Sequence, residues 1–200
     1  DVDLIYGYKN FNKIKKIKNL NIQFLNKFRV LGMFFPLIKY LITNKPDIIF
    51  SAEDHLNIII ILASLFSLSK AKISVSSRVT PLDTYKNSNF IFSKGWLLKL
   101  FFPIVHWRAN VMTCVSKDMI NQYQKIFGKT KQQYVYNIVK TAEAKIRIKE
   151  KVHHRWFKKK SDQIIVASGM LAEWKGFDDL IKAASILNKK RYNFKLIIIG

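Results

Sequence analysis

Residues 163–187, QIIVASGMLAEWKGFDDLIKAASIL, form a strand–turn–helix pattern. The β-branched run from Gln163 to Ala167 predicts a strand, and the small residues after it predict a turn. Beyond Gly176, apolar residues at helical spacing predict a helix with one buried face. These residues are Leu180, Ile181, Ala184 and Leu187. A strand that passes through a turn into a helix is the repeating unit of a parallel sheet.

The same unit recurs upstream. Further strands are predicted at residues 46–50, 72–75, 111–115 and 134–136, and a last one at 194–199. The apolar stretch 56–68 predicts a buried helix, since it is too short to cross a bilayer of about 30 Å. Ser116 is placed to cap the helix after the third of these strands. The pattern predicts an α/β chain, in which ligands bind beyond the carboxyl ends of the strands.

Residues 141–160 are dense in charge and lack a sustained apolar stripe. This composition predicts a connector between two domains. The first domain then takes residues 1–140, and residues 161–200 begin the second.

Two turns of the first domain carry candidate binding groups. Glu53 and His55 follow one predicted strand and could orient an acceptor hydroxyl, although acidic residues here could equally cap a helix. Arg78 follows the next strand and could bind a phosphate through its planar guanidinium. A salt bridge from Arg78 to Glu53 or Asp54 is the alternative explanation.

In the second domain, Lys175 stands directly before a glycine and a helix start. Its ammonium group suits a diphosphate, and Gly169 and Gly176 allow the backbone to approach a ligand closely. Asp178 and Asp179 would repel a phosphate at the helix start, so Lys175 must bind the anion. The alternative is that Lys175 is only a solvated loop residue.

Residues 169–180 resemble the donor-domain entry of family 4 glycosyltransferases, which have the GT-B fold. The shared pattern is a strand, a glycine turn, and Lys-Gly-Phe at residues 175–177 followed by a helix. Weaker similarities to the family in the same order are Pro46-Asp47-Ile48-Ile49, Val115-Ser116 and Tyr136-Asn137-Ile138-Val139. The resemblance implies a GT-B-like chain of two Rossmann-like, doubly wound parallel-sheet domains.

The sequence also departs from the family pattern. Met170 replaces the usual arginine after the glycine, and Lys140 replaces a common aspartate. The family's two glutamates with seven residues between them do not occur in this sequence. The family's first strand with its paired glycines is missing from the first domain, and we expect the second domain to be incomplete. We therefore expect the chain by itself to be inactive.

The resemblance implies a glycosyltransferase that moves a sugar from a nucleotide-diphosphate donor to a lipid-linked or saccharide acceptor. Such enzymes contribute to cell-surface polysaccharide or glycolipid biosynthesis. It also implies retention of anomeric configuration and no requirement for a metal or another cofactor. A cytoplasmic protein, peripheral at the inner face of the plasma membrane, is the matching location.

Composition leaves other classes open. The formal net charge of +22 would attract phosphates, nucleic acid or anionic membranes, although a codon bias toward lysine would also raise it. A basic nucleic-acid-binding α/β module without catalysis is one alternative, yet the lysines are dispersed and no specific nucleic-acid motif occurs. A GT-B-fold nucleotide-sugar epimerase or a non-catalytic partner subunit is another. The four histidines and Cys114 show no zinc-site spacing, and a buried structural thiol is expected at Cys114.

Residues 94–103 combine bulky apolar side chains with lysines, and residues 13–18 form a basic run. Together these segments could dock the first domain on anionic lipid. Packing of the Trp and Phe residues into the core is the alternative.

Overall fold

A computed structural model describes residues 1–8, 18–85, 89–128, 130–139, 141–158 and 163–200. The chain divides into two compact units, Asp1–Asn137 (unit 1) and Ile138–Gly200 (unit 2). In both, parallel strands are flanked by helices. This arrangement confirms the predicted α/β fold class and is consistent with Rossmann-like domains of a GT-B protein.

Unit 1 contains parallel strands joined by helices. Its strands are β1 Val2–Tyr6, β2 Leu20–Phe24, β3 Ile48–Ala52, β4 Lys72–Ser77, β5 Val111–Cys114 and β6 Gln132–Tyr134. Its helices are α1 Phe34–Asn44, α2 Asp54–Phe66, α3 Pro81–Thr84, α4 Lys94–Arg108 and α5 Lys117–Phe127.

The strands of unit 1 form two parallel sheets. One contains β1 and β2, and the other has the order β3-β4-β5-β6. In the larger sheet Ala52 pairs with Ser76, and Ser77 pairs with Cys114. The carboxyl ends of β3, β4 and β5 therefore lie side by side, and the turns that follow them share one edge.

The core of unit 1 lies between the larger sheet and the helices α1, α2, α4 and α5. Ile61 of α2 and Tyr123 of α5 are fully buried, at 0% exposure. Alternate residues of β4, Ile73 and Val75, are also buried, as the two-residue period of a strand requires. The predicted buried helix at 56–68 is confirmed as α2.

Unit 2 contains α6 Ala142–Arg147, β7 Ile164–Ser168, α7 Phe177–Lys189 and β8 Lys195–Ile199. β7 pairs with β8 in parallel. No described residue of unit 2 is buried, and Ile181, on the predicted buried face of α7, is 51% exposed. One helix on two strands does not provide enough surface to enclose a side chain.

Candidate functional site

The turn between β7 and α7 holds the three residues that the sequence predicts for donor binding. A short 3-10 turn, Glu173–Lys175, ends at Gly176, which begins α7 with φ +66°. Lys175 Cδ lies 3.7 Å from the point that a Cβ on Gly169 would occupy. The aliphatic part of the Lys175 side chain therefore lies against Gly169.

The glycines of this turn meet different requirements. At Gly176 an added Cβ would have no atom within 4 Å, but the positive φ disfavours any other residue. At Gly169 an added Cβ would lie 3.6 Å from the Phe177 ring. The Gly169 amide donates to the carbonyl of Ile199 at 2.9 Å, which fixes the start of the turn against the end of β8.

Charge in this turn is divided between Lys175 and the first residues of α7. In the part of the chain that the structure describes, the ion pairs are Glu143–Arg147 and Asp179–Lys182, so Lys175 belongs to neither. Gly176 provides no side chain to cap the first amides of α7. Asp178 and Asp179 in the first turn of α7 would repel an anion at the helix start, so the exposed ammonium of Lys175 is the group of this turn that could bind one.

The acceptor-side candidates of unit 1 lie on one edge of the larger sheet. Glu53 and His55 follow β3, and Arg78 follows β4. The Glu53 amide donates to the carbonyl of Ser76 at 3.0 Å, so the turn after β3 is bonded to the end of β4, two residues before Arg78. Arg78 is exposed, and the other two are half-buried.

Over the residues that it describes, the structure shows neither a capping hydrogen bond from Glu53 nor the salt bridge considered for Arg78, although Asp54 is an acidic residue in the first turn of α2. Glu53 is the first residue before α2, yet its side chain makes no capping hydrogen bond. Among the described residues, no salt bridge joins Arg78 to Glu53 or Asp54. Glu53 also has φ +79°, a region that residues other than glycine rarely adopt. Such strain often occurs at binding sites.

Asp54, between Glu53 and His55, belongs to a buried polar cluster. The Ser77 hydroxyl donates to Asp54 Oδ1 at 2.5 Å, and the Tyr123 hydroxyl lies 3.5 Å from the same atom. Burial raises the pKa of the Asp54 carboxyl, while the hydrogen bond from Ser77 opposes that rise. The cluster joins α2, β4 and α5 directly below the acceptor-side turns.

Sequence reasoning did not identify this cluster as a unit. Asn57 gave a partial signal, because it interrupts an apolar run; its side-chain amide donates to the Ser76 carbonyl at 3.0 Å. Asp54, Asn57, Ser77 and Tyr85 line a cavity of about 10 Å³. That volume is close to the space that one water molecule occupies.

A larger concavity of about 730 Å³ lies at the opposite edge of the same sheet. Its lining includes Ile48 and Lys72, the first residues of β3 and β4, together with Lys45 and Leu68. Because ligands of parallel sheets bind at the carboxyl ends of strands, we do not assign the candidate site to this concavity.

The β5–α5 turn has a structural role. The Ser116 hydroxyl accepts from the Met119 amide at 3.4 Å, which confirms the predicted cap. Cys114 is buried, at 1% exposure, and burial raises the pKa of its thiol. Its place in the core confirms the expected structural thiol. Among the described residues, no three His, Cys, Asp or Glu side chains are grouped so that they could hold a metal ion.

Comparisons with known proteins identify the class that this fold and turn resemble. Residues 148–200 match the family model described as "Glycosyl transferases group 1", and that range contains the whole turn from Gly169 to Gly176. The matched model and the relative described next are both described as glycosyltransferases. The narrower assignment to family 4 stays a prediction.

One relative matches most of the chain. A protein described as an uncharacterized glycosyltransferase of Methanocaldococcus jannaschii is 27% identical over 183 residues. The match covers 86% of this chain and 44% of that protein. The chain thus spans less than half the length of this relative.

Proposed function

We propose that this chain is part of a glycosyltransferase that transfers a sugar from a nucleotide-diphosphate donor to a lipid-linked or saccharide acceptor. The observation that carries the proposal is the turn in which Lys175 lies against Gly169 and precedes Gly176. This turn lies within the range that matches group 1 glycosyl transferases. The pathway we propose is biosynthesis of cell-surface polysaccharide or glycolipid.

Lys175 would act on the leaving group. When the bond between the sugar and the diphosphate breaks, negative charge grows on the diphosphate oxygens. A positioned ammonium stabilises that charge more in the transition state than in the bound substrate, and therefore raises turnover. We propose that Gly169 and Gly176 let the diphosphate approach the backbone. Retention of configuration and a family 4 mechanism without metal are parts of the same proposal.

The turns of unit 1 would bind the acceptor. Glu53 and His55 offer a carboxylate and an imidazole that can orient a hydroxyl group, and Arg78 can hold an acceptor phosphate. The backbone bond from Glu53 to Ser76 supports this assignment, because it holds the turn after β3 against the end of β4, where Arg78 follows.

Replacement of Lys175 tests the proposal. In the complete protein that carries this chain, Lys175→Ala should lower turnover about 10²–10³-fold, the usual effect of removing one donor to a developing anion. Release of nucleoside diphosphate from uridine or guanosine diphosphate sugars measures it. Lys189→Ala, at the far end of α7, is the matched control and should keep normal turnover.

The same assay separates the rival classes. Unchanged turnover in Lys175→Ala would refute the role of the lysine. Products that are epimerised nucleotide sugars would indicate an epimerase, and tight, salt-sensitive binding to DNA or RNA without any response to nucleotide sugars would indicate a nucleic-acid-binding module. Equal thermal stability of both lysine variants excludes misfolding as the cause of a loss.

The proposed location is cytoplasmic and peripheral, at the inner face of the plasma membrane. No helix within the described ranges has both the length and the apolar content to cross a bilayer.

A further inference from the structure

Helix α4, Lys94–Arg108, is apolar on two opposite faces. Leu98, Phe102 and Val105 face the core of unit 1, with 6%, 7% and 5% exposure. The opposite face presents Leu100 and Trp107, with 54% and 72% exposure. A helix at the surface of a water-soluble domain ordinarily has polar residues on that side.

The residues that lead into α4 extend this apolar surface. Phe90, Ile91 and Phe92 are 69%, 69% and 78% exposed. The Phe92 ring lies 5.6 Å from the Trp96 ring, centroid to centroid, which connects the segment to the first turn of α4. We call the combined surface the α4 outer face, formed by Phe90, Ile91, Phe92, Leu97, Leu100 and Trp107.

Core packing, the alternative for the Trp and Phe residues of 94–103, holds for Phe102, while Trp96 and Phe101 are half-buried. Leu97 and Leu100 of the same segment are exposed. The basic run offered as the companion segment lies mostly outside the described residues, because the structure describes only Lys18 of residues 13–18.

Charge around this surface indicates what kind of partner fits it. Lys94 and Lys99 are exposed on α4, and α4 contains no acidic residue. The chain as a whole has a formal net charge of +22. Bulky apolar side chains with lysines beside them and no carboxylates suit the boundary between acyl chains and anionic head groups. A single exposed Trp and several Phe residues are typical of proteins at that depth.

We propose that the α4 outer face inserts into the head-group region of an anionic phospholipid bilayer, with α4 parallel to the membrane plane. The inference deepens the proposed function, because it names the surface on which unit 1 would meet a lipid-linked acceptor. The binding itself does not depend on sugar transfer and can be measured in its absence.

Vesicle sedimentation of the complete protein tests the proposal. One set of vesicles contains phosphatidylcholine alone, and the other contains phosphatidylcholine with phosphatidylglycerol. The wild-type protein should bind the anionic vesicles and lose binding as salt rises, because screening weakens the attraction of its cations. The double variant Leu100→Glu with Trp107→Glu should bind at least about tenfold more weakly, because it places two carboxylates in the acyl boundary.

Matched variants distinguish binding through the α4 outer face from nonspecific binding through other exposed apolar side chains and from the effect of charge. Phe35→Glu alters a side chain of α1 that is 77% exposed, and it should bind vesicles like the wild type. Lys99→Gln should weaken binding about fivefold, since one cation near an anionic surface contributes about 1 kcal/mol. Lys175→Ala should bind normally even if its turnover is lost, which distinguishes this inference from the transferase proposal.

Two outcomes would overturn the inference. The first is equal binding of wild type and the double glutamate variant to anionic vesicles. The second is a wild-type protein that ignores vesicles but forms a dimer that the double variant abolishes, since a second copy would then cover the α4 outer face. Circular dichroism of each variant, with a wild-type spectrum as the criterion, shows that the fold is retained.

Discussion

Unit 1 and unit 2 use the same strand and helix elements but differ in what those elements enclose. In unit 1, Ile61 and Tyr123 are completely removed from water, while no described residue of unit 2 is buried. Packing therefore fixes the acceptor-side turns, above Asp54 and its partners. The turn that holds Lys175 depends instead on backbone bonds and on the conformation of Gly176.

The largest expected effect concerns the interior of unit 1. Ile61→Ala should reduce the free energy of unfolding by about 2–5 kcal/mol, because it leaves a cavity where the side chain was fully enclosed. In the 200-residue chain itself, Ile186→Ala in α7 removes the same atoms from a side chain that is 56% exposed, and should change this free energy by about 0.5 kcal/mol or less. Urea unfolding measures both. Equal losses of unfolding free energy in the two variants would contradict the inference that only unit 1 encloses its side chains.

Helix caps provide a second, smaller test. Ser116→Ala should destabilise unit 1 by about 1 kcal/mol, because α5 carries the core residues Met119 and Tyr123. Thr141 caps α6 with a shorter bond, 3.0 Å to the Ala144 amide, yet α6 has no buried residue. Thr141→Ala should therefore have little effect on global unfolding. A larger loss for Thr141→Ala would show that unit 2 is more cooperative than its exposure indicates.

The smallest effect is a pH dependence from Asp54. Burial raises its pKa above the ordinary value of 3.8, so the folded protein keeps a proton that the unfolded chain has already lost. Stability should consequently fall as pH rises from about 3.8 through the raised folded pKa. Asp54→Asn should remove this part of the pH dependence. Thermal unfolding at a series of pH values measures it.

Asp178→Asn is the matched control in unit 2. That carboxylate is exposed at the start of α7, and its replacement removes the same charge outside the buried cluster. If Asp54→Asn keeps the same slope as the wild type, the buried cluster does not hold the proton.

The fold was predictable where local sequence determines it. The strands β3, β4 and β5 are β-branched runs between turn residues, and the sequence predicts them within a few positions. The prediction for β6 was displaced by two residues, because Gln132 and Gln133 pair with β5 despite their polar side chains. Strand propensities are low for such polar residues, so they do not predict a strand that forms through pairing with a neighbouring strand.

Strands β1 and β2 were not predicted at all. β1 has the polar Asp3 among apolar residues, and β2 has Asn21 and Gln23 in an alternating pattern that is typical of a strand. The contacts that join the two strands are visible only in three dimensions. The Asn21 amide donates to Asp3 Oδ1 at 3.0 Å across the pair, and the Tyr40 hydroxyl of α1 donates to the other oxygen at 2.5 Å. These partners are distant in sequence, so neither strand shows its pairing by itself.

The candidate site also contains residues that the local sequence predicts and residues that it does not. Lys175, Gly169 and Gly176 could be selected from the sequence because turn conformation depends on a few adjacent residues. The Asp54 cluster could not, since Ser77 and Tyr123 lie 23 and 69 positions away from Asp54. Contacts of that kind arise from sheet register and helix packing, which short patterns do not specify.

The backbone of Glu53 has a consequence for how this position varies over time. A residue other than glycine at φ +79° carries a conformational penalty of about 1–3 kcal/mol. Substitution of Glu53 by glycine should therefore increase the free energy of unfolding. If the carboxylate had no function, glycine would be expected at this position in related chains, because it removes the penalty. Homologous chains that keep an acid at this turn would mark selection for the side chain, and chains with glycine would mark its loss.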